Sequence, residues 1–335
     1  MKVWRIEEAY GIDNLKQADA PDPKPGPGQI VVEMHAASLN YRDLLTVQGY
    51  GGGFPLPLIP FSDGAGVVVA ADPSQSRFKP GDRVCPLFFQ SWLSGPVTAE
   101  CRMQALGGPL AGVLQERMLL SAEGATRVPD HLSFEEAATL PCAGLTAWRA
   151  LTEESRVGAG QTVLVQGTGG VSIFALQFAK ALGAQVIATS SSDAKLARAK
   201  ALGADQLINY KTTPDWGRVA REMTGGRGVD VVVEVGGENT LGQSMDAARV
   251  GGSIVVIGVL GGFSSTLLIP VIFSKNLVIK GISVGSRAQF EDMAAHIDRW
   301  KLKPVVDKLY PVADVREALR TMQAGTHFGK IVVRF

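Results

Sequence analysis

The sequence predicts an α/β protein with two domains, one mostly β and one built on a doubly wound parallel sheet. Residues 2–125 carry short β-like runs broken by Pro and Gly, whereas beyond residue 126 strands and helices alternate. Such alternation is typical of a parallel sheet covered by helices on both faces. We therefore expect a mostly-β domain from residues 1–125 and 288–335, and a parallel-sheet domain from residues 126–287.

The first domain is predicted to be a partly open β-barrel. Apolar runs at Gln29–Met34 and Gly66–Ala70 are separated from their neighbours by Pro- and Gly-rich loops such as Pro21–Gly28. Residues 87–112 show no periodicity, and a connection this long is usually functional or mobile. The apolar run before Arg334 predicts a last strand that returns to this domain.

Early in the second domain, Ser133 and Glu136 form the signature of a helix capping box. Beyond it, apolar runs of strand length alternate with segments of helical periodicity. We predict strands at 162–166, 185–189, 206–209, 229–235, 253–258 and 277–283, helices near 170–182, 193–202, 215–224 and 240–249, and an irregular link at 261–276.

A glycine turn follows the first of these strands and opens the first helix. Gly167 permits the tight turn, Gly169 allows backbone to approach a pyrophosphate, and the helix N-terminus faces that anion. The third small residue of the pattern is Ser172 instead of glycine, which puts helix packing in doubt. This strand–turn–helix–strand unit predicts dinucleotide binding by Gly167, Thr168, Gly169, Gly170 and Val171, against the plainer reading of a tight αβ turn.

The end of the second strand bears on which dinucleotide binds. NAD-selective sites commonly place a carboxylate there, about 20 residues beyond the first glycine, but residues 189–192 are Thr and Ser. Hydroxyl groups can hydrogen-bond a 2′-phosphate and Lys195 supplies positive charge, so NADP is predicted over NAD. The proposed ligands are Ser190, Ser191, Lys195 and Tyr210. Alternatively, Asp193 caps the next helix or binds the ribose, and Lys195 is a solvated charge.

Composition narrows the classes of partner. Lys and Arg together number 33 and Asp and Glu 32, so no strong field attracts nucleic acid or an anionic membrane. Three scattered cysteines do not make a disulfide framework, and no signal peptide or membrane-spanning stretch is evident. We expect a soluble protein of the cytoplasm that acts on a small molecule.

Several motifs together identify a family resemblance: Gly64–Gly66, Lys79–Val84, Leu145–Trp148, the glycine turn, and Phe328–Val332. With them the chain resembles the medium-chain dehydrogenase/reductase superfamily over nearly its whole length. The resemblance implies a GroES-like β domain that carries the catalytic groups and a Rossmann domain that binds the cofactor. It also implies a homodimer formed across the edge strand at 277–283.

The zinc alcohol dehydrogenases of this superfamily hold a catalytic zinc with Cys, His and Cys. By motif spacing these positions fall here on Asn40, Ser62 and Cys142, and an amide and a hydroxyl do not hold zinc. Residues 87–112 contain only Cys101 in place of the four-cysteine structural zinc site. We therefore predict that the protein binds neither zinc.

The segment Ser38–Asp43 resembles the zinc-free quinone and enoyl reductases, in which it lines nicotinamide and substrate. The resemblance implies that Tyr41 orients or protonates a carbonyl oxygen, or packs against the nicotinamide, and that Asn40 hydrogen-bonds substrate or ribose. Hydride transfer to a quinone or an α,β-unsaturated carbonyl needs no metal to polarise an alcohol. The alternatives are an enoyl-thioester reductase, a zinc-free alcohol dehydrogenase-like protein, and an NADPH-binding sensor or structural protein.

Other positions are predicted around the ligands. Ligands of doubly wound sheets bind at the carboxyl ends of strands, which places Gly236, Gly258 and Val259 near the cofactor. The resemblance adds Thr146. Ser286, Arg287 and Lys330 are further candidates, although a helix cap or a surface charge would also explain them. The substrate pocket, expected in the cleft between the domains, is predicted to be walled by Phe88, Trp92 and Leu106.

Overall fold

The computed structural model describes residues 1–50 and 53–335, and these form two compact units. Unit 1 comprises Met1–Leu145 and Val284–Phe335, and unit 2 comprises Thr146–Ser283. The division differs from the predicted boundary at residue 126, because residues 126–145 cluster with unit 1. Strand residues Ala125–Arg127 pair with Arg83–Pro86, which ties the start of this segment to the β sheet of unit 1.

Within the described residues, the strands in chain order are β1 (Lys2–Ile6), β2 (Leu15–Asp19), β3 (Gln29–Ser38), β4 (Asp63–Ala71), β5 (Arg83–Pro86), β6 (Arg117–Ser121), β7 (Ala125–Arg127), β8 (Thr162–Gln166), β9 (Gln185–Ser190), β10 (Gln206–Asn209), β11 (Val229–Glu234), β12 (Ala248–Val256), β13 (Val278–Gly281), β14 (Val306–Pro311) and β15 (Lys330–Arg334). The α-helices are α1 (Tyr41–Val47), α2 (Ala99–Arg102), α3 (Phe134–Ala137), α4 (Leu145–Thr152), α5 (Gly170–Ala181), α6 (Asp193–Ala201), α7 (Trp216–Glu222), α8 (Leu241–Ala247), α9 (Ile269–Ser274), α10 (Arg287–Trp300) and α11 (Val315–Gln323). A π-helix spans Leu140–Gly144.

Unit 1 is built on a sheet of order β14-β15-β3-β4-β5-β7, with β6 also paired to β3 and a separate β1-β2 pair. The C-terminal strand β15 returns to this sheet as the sequence predicts, antiparallel to β3, with Val332 opposite Ser38. This pairing places the start of β15 beside the end of β3. Lys330 and Asn40 are thereby brought together although they lie far apart in the sequence.

Unit 2 is a parallel six-stranded sheet of order β10-β9-β8-β11-β12-β13. Every residue of β8 and of β11 is buried, as expected of central parallel strands rich in valine. The strand order reverses between β8 and β11, which lie side by side although five elements, α5, β9, α6, β10 and α7, separate them in the sequence. Ligands of doubly wound sheets bind at such a switch point, outside the carboxyl ends of the strands.

Two local predictions need correction. The link 261–276 contains a helix, α9, whose first turn carries Pro270, a residue suited to that position because it needs no hydrogen-bond donor there. The edge strand is shorter than the predicted 277–283 and covers Val278–Gly281. The capping box of Ser133 and Glu136 is present, but α3 ends after one turn because the chain continues into the π-helix.

Candidate functional site

The glycine turn of unit 2 leaves open space above its backbone. Gly167 has a φ of +67°, a left-handed conformation that favours glycine, and its N–H faces Thr189 Oγ1 at 3.4 Å. A Cβ atom built on Gly167 or on Gly169 would meet no atom within 4 Å. The space that a side chain would fill is the space that a pyrophosphate requires.

Helix α5 begins directly at this turn without a capping side chain. Its N-cap residue is Gly169, so the first backbone N–H groups of a 12-residue helix are available to an anion. Ser172, the departure from the glycine pattern, is buried and donates a hydrogen bond of 2.6 Å to the Gln166 carbonyl. The serine therefore joins α5 to the end of β8, and helix and strand pack closely although the glycine of the pattern is absent.

The end of β9 carries hydroxyl groups instead of a carboxylate. Ser190 Oγ accepts from Ser192 N, and Ser192 caps α6, where Lys195 lies in the first turn. Asp193 belongs to α6 and its carboxylate accepts a hydrogen bond of 2.7 Å from Asn209. The predicted cofactor residues Ser190, Ser191, Lys195 and Tyr210 surround this strand end, and Tyr210 N donates to Ser190 O.

Glycines at the ends of β11 and β12 serve chain packing. A Cβ on Gly236 would lie 2.3 Å from Thr240 Oγ1, and one on Gly258 would lie 2.5 Å from the Val235 carbonyl. Gly258 therefore allows two backbone segments to approach closely, and Gly236 leaves room for the Thr240 side chain, even without a ligand. That Gly236, Gly258 and Val259 contact the cofactor stays a prediction.

Unit 1 contains a buried set of polar side chains, which we call the Asn40 cluster: Asn40, Asp43, Ser62, Asp63 and Lys330. Asn40 begins α1 and forms a capping box with Asp43, whose Oδ2 accepts from Asn40 N at 2.8 Å. Asn40 Nδ2 donates to Ser62 Oγ at 3.2 Å, and Ser62 Oγ donates to Asp43 Oδ1 at 3.1 Å. Each member thus holds another in place.

Lys330 closes the Asn40 cluster from β15. Its ammonium donates to Asn40 Oδ1 and to the Leu39 carbonyl, both at 2.5 Å. Because an ammonium only donates, this contact sets the orientation of the Asn40 amide, with Oδ1 toward Lys330 and Nδ2 toward Ser62. The role of Lys330 toward cofactor or substrate stays a prediction, but the side chain is not a surface charge, since it is 3% exposed.

Burial controls the ionisation of the Asn40 cluster. Desolvation raises the pKa of Asp43, against the opposing charge of Arg42. Desolvation raises the pKa of Asp63 to about 7, against the opposing charge of Lys330, and it lowers the pKa of Lys330. Asp63 Oδ2 accepts from Cys142 N at 3.0 Å, whereas Oδ1 has no hydrogen-bond partner among the described residues.

Arg42 pairs with Asp43 and not with Asp63. Its guanidinium lies 3.3 Å from Asp43 Oδ1 and also donates to the carbonyls of Leu106, Gly107 and Gly108. The guanidinium carbon stands 5.3 Å from the centre of the Phe88 ring. Arg42 therefore fastens the segment at 106–108 to the start of α1.

Tyr41 differs from the rest of its segment because it is exposed. It is the first residue of α1, its side chain is 39% exposed, and its hydroxyl has no hydrogen-bond partner within residues 1–50 and 53–335. Its predicted neighbours in the pocket wall are interior residues: Phe88, Trp92 and Leu106 are at most 7% exposed. Contact with substrate stays a prediction for all three.

The remaining predicted residues have local structural roles. Ser286 caps α10, and the backbone N–H of Arg287 donates to the Trp92 carbonyl. The Arg287 guanidinium pairs with Glu123. Thr146 is buried in α4. The cofactor contacts predicted for Thr146, Ser286 and Arg287 remain untested.

The side chains at the family's zinc positions do not fit zinc. Zinc sites use thiolate, imidazole or carboxylate ligands, whereas Asn40 and Ser62 offer an amide and a hydroxyl. The one acceptor atom of the Asn40 side chain is already bonded to the Lys330 ammonium, and a second cation there would be repelled. Within the described part of the chain, no group of three His, Cys, Asp or Glu side chains has the arrangement of a metal site.

Two family models match separate parts of the chain. An alcohol dehydrogenase GroES-like domain matches residues 26–130, and a zinc-binding dehydrogenase domain matches residues 170–299. A zinc-type alcohol dehydrogenase-like protein of Schizosaccharomyces pombe is 44% identical, covering 98% of this chain and 97% of its own. The quinone oxidoreductase of Pongo abelii is 28% identical, covering 95% and 92%.

Solved structures agree with these matches. A Sinorhizobium meliloti 1021 protein assigned to the alcohol dehydrogenases has a TM-score of 0.94 at 45% identity, covering 100% of this chain and 98% of its own. An NAD-dependent alcohol dehydrogenase has a TM-score of 0.91 at 36% identity, with both chains fully covered. A mycobacterial protein complexed with NADPH has a TM-score of 0.84 at 27% identity, also with both chains fully covered.

The GroES-like sheet, the parallel sheet with its glycine turn and these matches define an oxidoreductase that uses a pyridine nucleotide. The chain belongs to the medium-chain dehydrogenase/reductase superfamily. In the described residues, no helix combines the length and apolar composition needed to cross a membrane.

Proposed function

We propose that the protein is a zinc-independent, NADPH-dependent reductase that delivers hydride to a quinone or an α,β-unsaturated carbonyl compound. The observation that carries this proposal is the bond from the Lys330 ammonium to Asn40, one of the three positions that the resemblance to the zinc alcohol dehydrogenases assigns to zinc ligands. Without a metal to polarise an alkoxide, an electron-poor acceptor is the better substrate class.

In this proposal unit 2 binds the cofactor. The backbone of residues 167–171 and the N-terminus of α5 take the pyrophosphate. When bound, the reduced nicotinamide supplies the hydride. Ser190, Ser191 and Lys195 take the 2′-phosphate, because hydroxyls and an ammonium match a phosphate and a carboxylate would repel it. Relatives of known structure include one complexed with NADPH and one named for NAD, so the 2′-phosphate preference rests on this strand end.

Tyr41 is the proposed catalytic residue of unit 1. Its hydroxyl is exposed and uncommitted among the described residues, and a phenol is protonated at neutral pH, so it can donate to a carbonyl oxygen. Asn40 is held by Lys330 and Ser62 in one orientation, with its amide nitrogen as the donor. We assign Asn40 to the orientation of substrate beside Tyr41.

We also propose that the protein forms a homodimer through β13. This strand is last in the order of its sheet, so one edge of its backbone is unpaired. Apolar side chains near it are exposed, among them Phe263, Leu268, Ile269, Phe273 and Val278. A second copy would pair the edge and cover these side chains. Val278→Lys should give a monomer by light scattering, whereas Val69→Lys, on β4 of unit 1, should remain a dimer.

The activity is tested in two assays: NADPH oxidation with quinones, enones and enoyl thioesters as hydride acceptors, and NADP+ reduction with simple alcohols as hydride donors. We expect turnover with quinones or enones and none with ethanol-like alcohols. Activity confined to simple alcohols would contradict the proposal. Turnover with enoyl thioesters alone would identify the alternative reductase. Binding of NADPH without turnover on any acceptor would identify a sensor or structural protein.

A further inference from the structure

Glu234, at the end of β11, is a buried carboxylate that the sequence patterns do not single out. Its side chain is completely buried and accepts five hydrogen bonds. The donors are Gly236 N at 2.8 Å, Gly237 N at 3.0 Å, Gln166 Nε2 at 2.7 Å, Thr240 Oγ1 and Ser244 Oγ. Five donors and no acceptor around it match an ionised carboxylate, which only accepts.

Gln166, at the end of β8, links Glu234 to the glycine turn that follows β8. Its Nε2 donates to Glu234, and its Oε1 accepts from Val235 N at 3.2 Å and Gly236 N at 3.3 Å. The amide has only one orientation that satisfies both sides, because Glu234 accepts and the two backbone groups donate. Gln166 is followed directly by Gly167, and its own carbonyl accepts from Ser172.

This pair lies at the switch point of the sheet. β8 and β11 are neighbours at the place where the strand order reverses. The two halves of a dinucleotide bind over the two halves of such a sheet, with the pyrophosphate on the turn after the first strand. The adenosine half then belongs to the side of β9, and the nicotinamide half belongs to the side of β11 and β12.

Glu234 also determines where the chain lies on the nicotinamide side. It holds the N–H groups of Gly236 and Gly237, and the Gly236 carbonyl in turn accepts from Gly261 N at 2.6 Å. Gly237 forms a β-bridge with Gly262. One carboxylate therefore holds residues 235–237 against the glycine turn, and through them the loop at 258–262.

We propose that Glu234 is a positioning residue for the nicotinamide half of the cofactor. It acts through the backbone of residues 235–237 and does not touch the reacting atoms. This inference rests on the proposed binding of the pyrophosphate by residues 167–171. It adds that the two halves of the cofactor site are held in register by the Gln166–Glu234 pair.

Glutamine cannot replace Glu234 while Gln166 is present, because the two side chains would then offer too few hydrogen-bond acceptors. In Glu234→Gln, the new amide nitrogen faces Gln166 Nε2, donor against donor. Turning the Gln166 amide over would place its nitrogen against Val235 N and Gly236 N. Either way a buried donor is left unpaired, which shifts the 235–237 segment. The exchanged pair Gln166→Glu with Glu234→Gln restores an acceptor for every donor.

The test compares the whole cofactor with its adenosine half, by calorimetry on the full chain. For Glu234→Gln we expect the Kd of NADPH to rise about 10-fold while the Kd of adenosine 2′,5′-bisphosphate changes less than about twofold. The exchanged double variant should return the NADPH Kd to within about threefold of the wild type. Thr240→Val, which removes one donor, should give a smaller loss for NADPH alone and serves if Glu234→Gln does not fold.

The outcomes separate this inference from the proposed function. A wild-type protein that binds neither NADPH nor NADH would overturn the proposed function itself. A different outcome would overturn the inference: the wild type binds NADPH, but both Glu234→Gln and Thr240→Val raise the Kd of NADPH and the Kd of adenosine 2′,5′-bisphosphate by the same factor. Glu234 would then serve general stability. Unchanged NADPH affinity in both variants would also overturn the inference. If NADH proves to be the ligand, the same comparison is made with NADH and AMP.

Discussion

The glycine turn of unit 2 and the Asn40 cluster of unit 1 differ in how much room and how many free hydrogen-bonding groups they offer to a ligand. Above Gly167 and Gly169 the space is open and the helix end has no capping side chain. In the Asn40 cluster, hydrogen bonds join Asn40, Asp43, Ser62 and Lys330, whereas Oδ1 of Asp63 has no partner among the described residues. The proposed ligand of the first region is an anion from outside, whereas the second region is held mainly by its own hydrogen bonds.

The difference indicates which part of the superfamily's chemistry this chain keeps. The glycine turn, with open space above its backbone, can bind the same class of cofactor in relatives whose neighbouring residues differ. Under the proposed function, the Asn40 cluster has no metal to act as an electrophile, so the acceptor must be reactive without one. In the same proposal Tyr41, which is exposed next to Asn40 in the sequence, acts on the substrate.

The open turn is tested most strongly by filling it. Gly169→Val places a side chain where a Cβ meets no protein atom, and the φ of −76° suits any residue. We expect the Kd of NADPH to rise about 100-fold or more, because the side chain occupies the place of the pyrophosphate. Calorimetry measures this, with Gly158→Val as the control, since a Cβ there also meets nothing. Equal Kd values for both variants would remove the pyrophosphate from the turn.

Unit 1 is tested next by removing the proposed proton donor. Tyr41→Phe should lower kcat with an enone or quinone about 100-fold, since general acid catalysis contributes at least that much. The Kd of NADPH should stay within about threefold, because Tyr41 acts on the substrate. Steady-state kinetics checks this against Tyr50→Phe, a change at another exposed tyrosine of the same unit. An unchanged kcat in Tyr41→Phe would leave Tyr41 as a packing residue.

Loss of the proposed contact between Lys195 and the 2′-phosphate should have a smaller effect. Lys195→Ala should raise KM for NADPH about 10-fold and leave KM for NADH unchanged, as expected for one charge-assisted hydrogen bond. Lys200→Ala, on the same helix but bonded to the Asp205 carbonyl, should change neither value. Equal changes for the two cofactors in Lys195→Ala would exclude the lysine from the phosphate site.

The Asn40 cluster should make the free energy of unfolding depend on pH. The pKa of Asp63 is raised to about 7 by burial, so the folded protein keeps this carboxyl protonated while the unfolded chain loses its proton near pH 4. The free energy of unfolding should therefore fall as pH rises from about 4 to about 7, by at most about 1.4 kcal/mol per pH unit, and then level off.

Asp63→Asn should flatten that slope, because the amide keeps an acceptor for Cys142 N and carries no proton to lose. Urea unfolding between pH 4 and 8 measures the difference, with the exposed Asp22→Asn as the control. An identical slope in wild type and Asp63→Asn would show that other groups set the pH dependence.

The sequence predicted the parallel sheet because its signals are local. The valine run of β8, the glycines behind it and the helical period of α5 all lie within 20 residues, and each reports its own conformation. The fold class, the C-terminal return to the β domain and the family are confirmed. The helix α9 was missed because five of its six residues are apolar and a helix this short shows no amphipathic period.

The candidate sites were harder to predict because their contacts are long-range. Lys330 meets Asn40 across 290 residues of sequence, and only the antiparallel pairing of β15 with β3 joins them. Glu234 and Gln166 are likewise separated by 68 residues. The signal that was present is the pair of carboxylates, Asp230 and Glu234, among the valines of β11, since a charge in a central strand needs buried partners.

Metal content measured together with activity tests the central claim most directly. The zinc content of the purified protein is measured by mass spectrometry before and after dialysis against a chelator. NADPH oxidation with the best enone or quinone is measured on the same two samples. We predict far less than one zinc per chain and unchanged turnover, because Lys330 and Asn40 complete the cluster without a metal. One zinc per chain, with activity lost on its removal and restored on its return, would contradict the account.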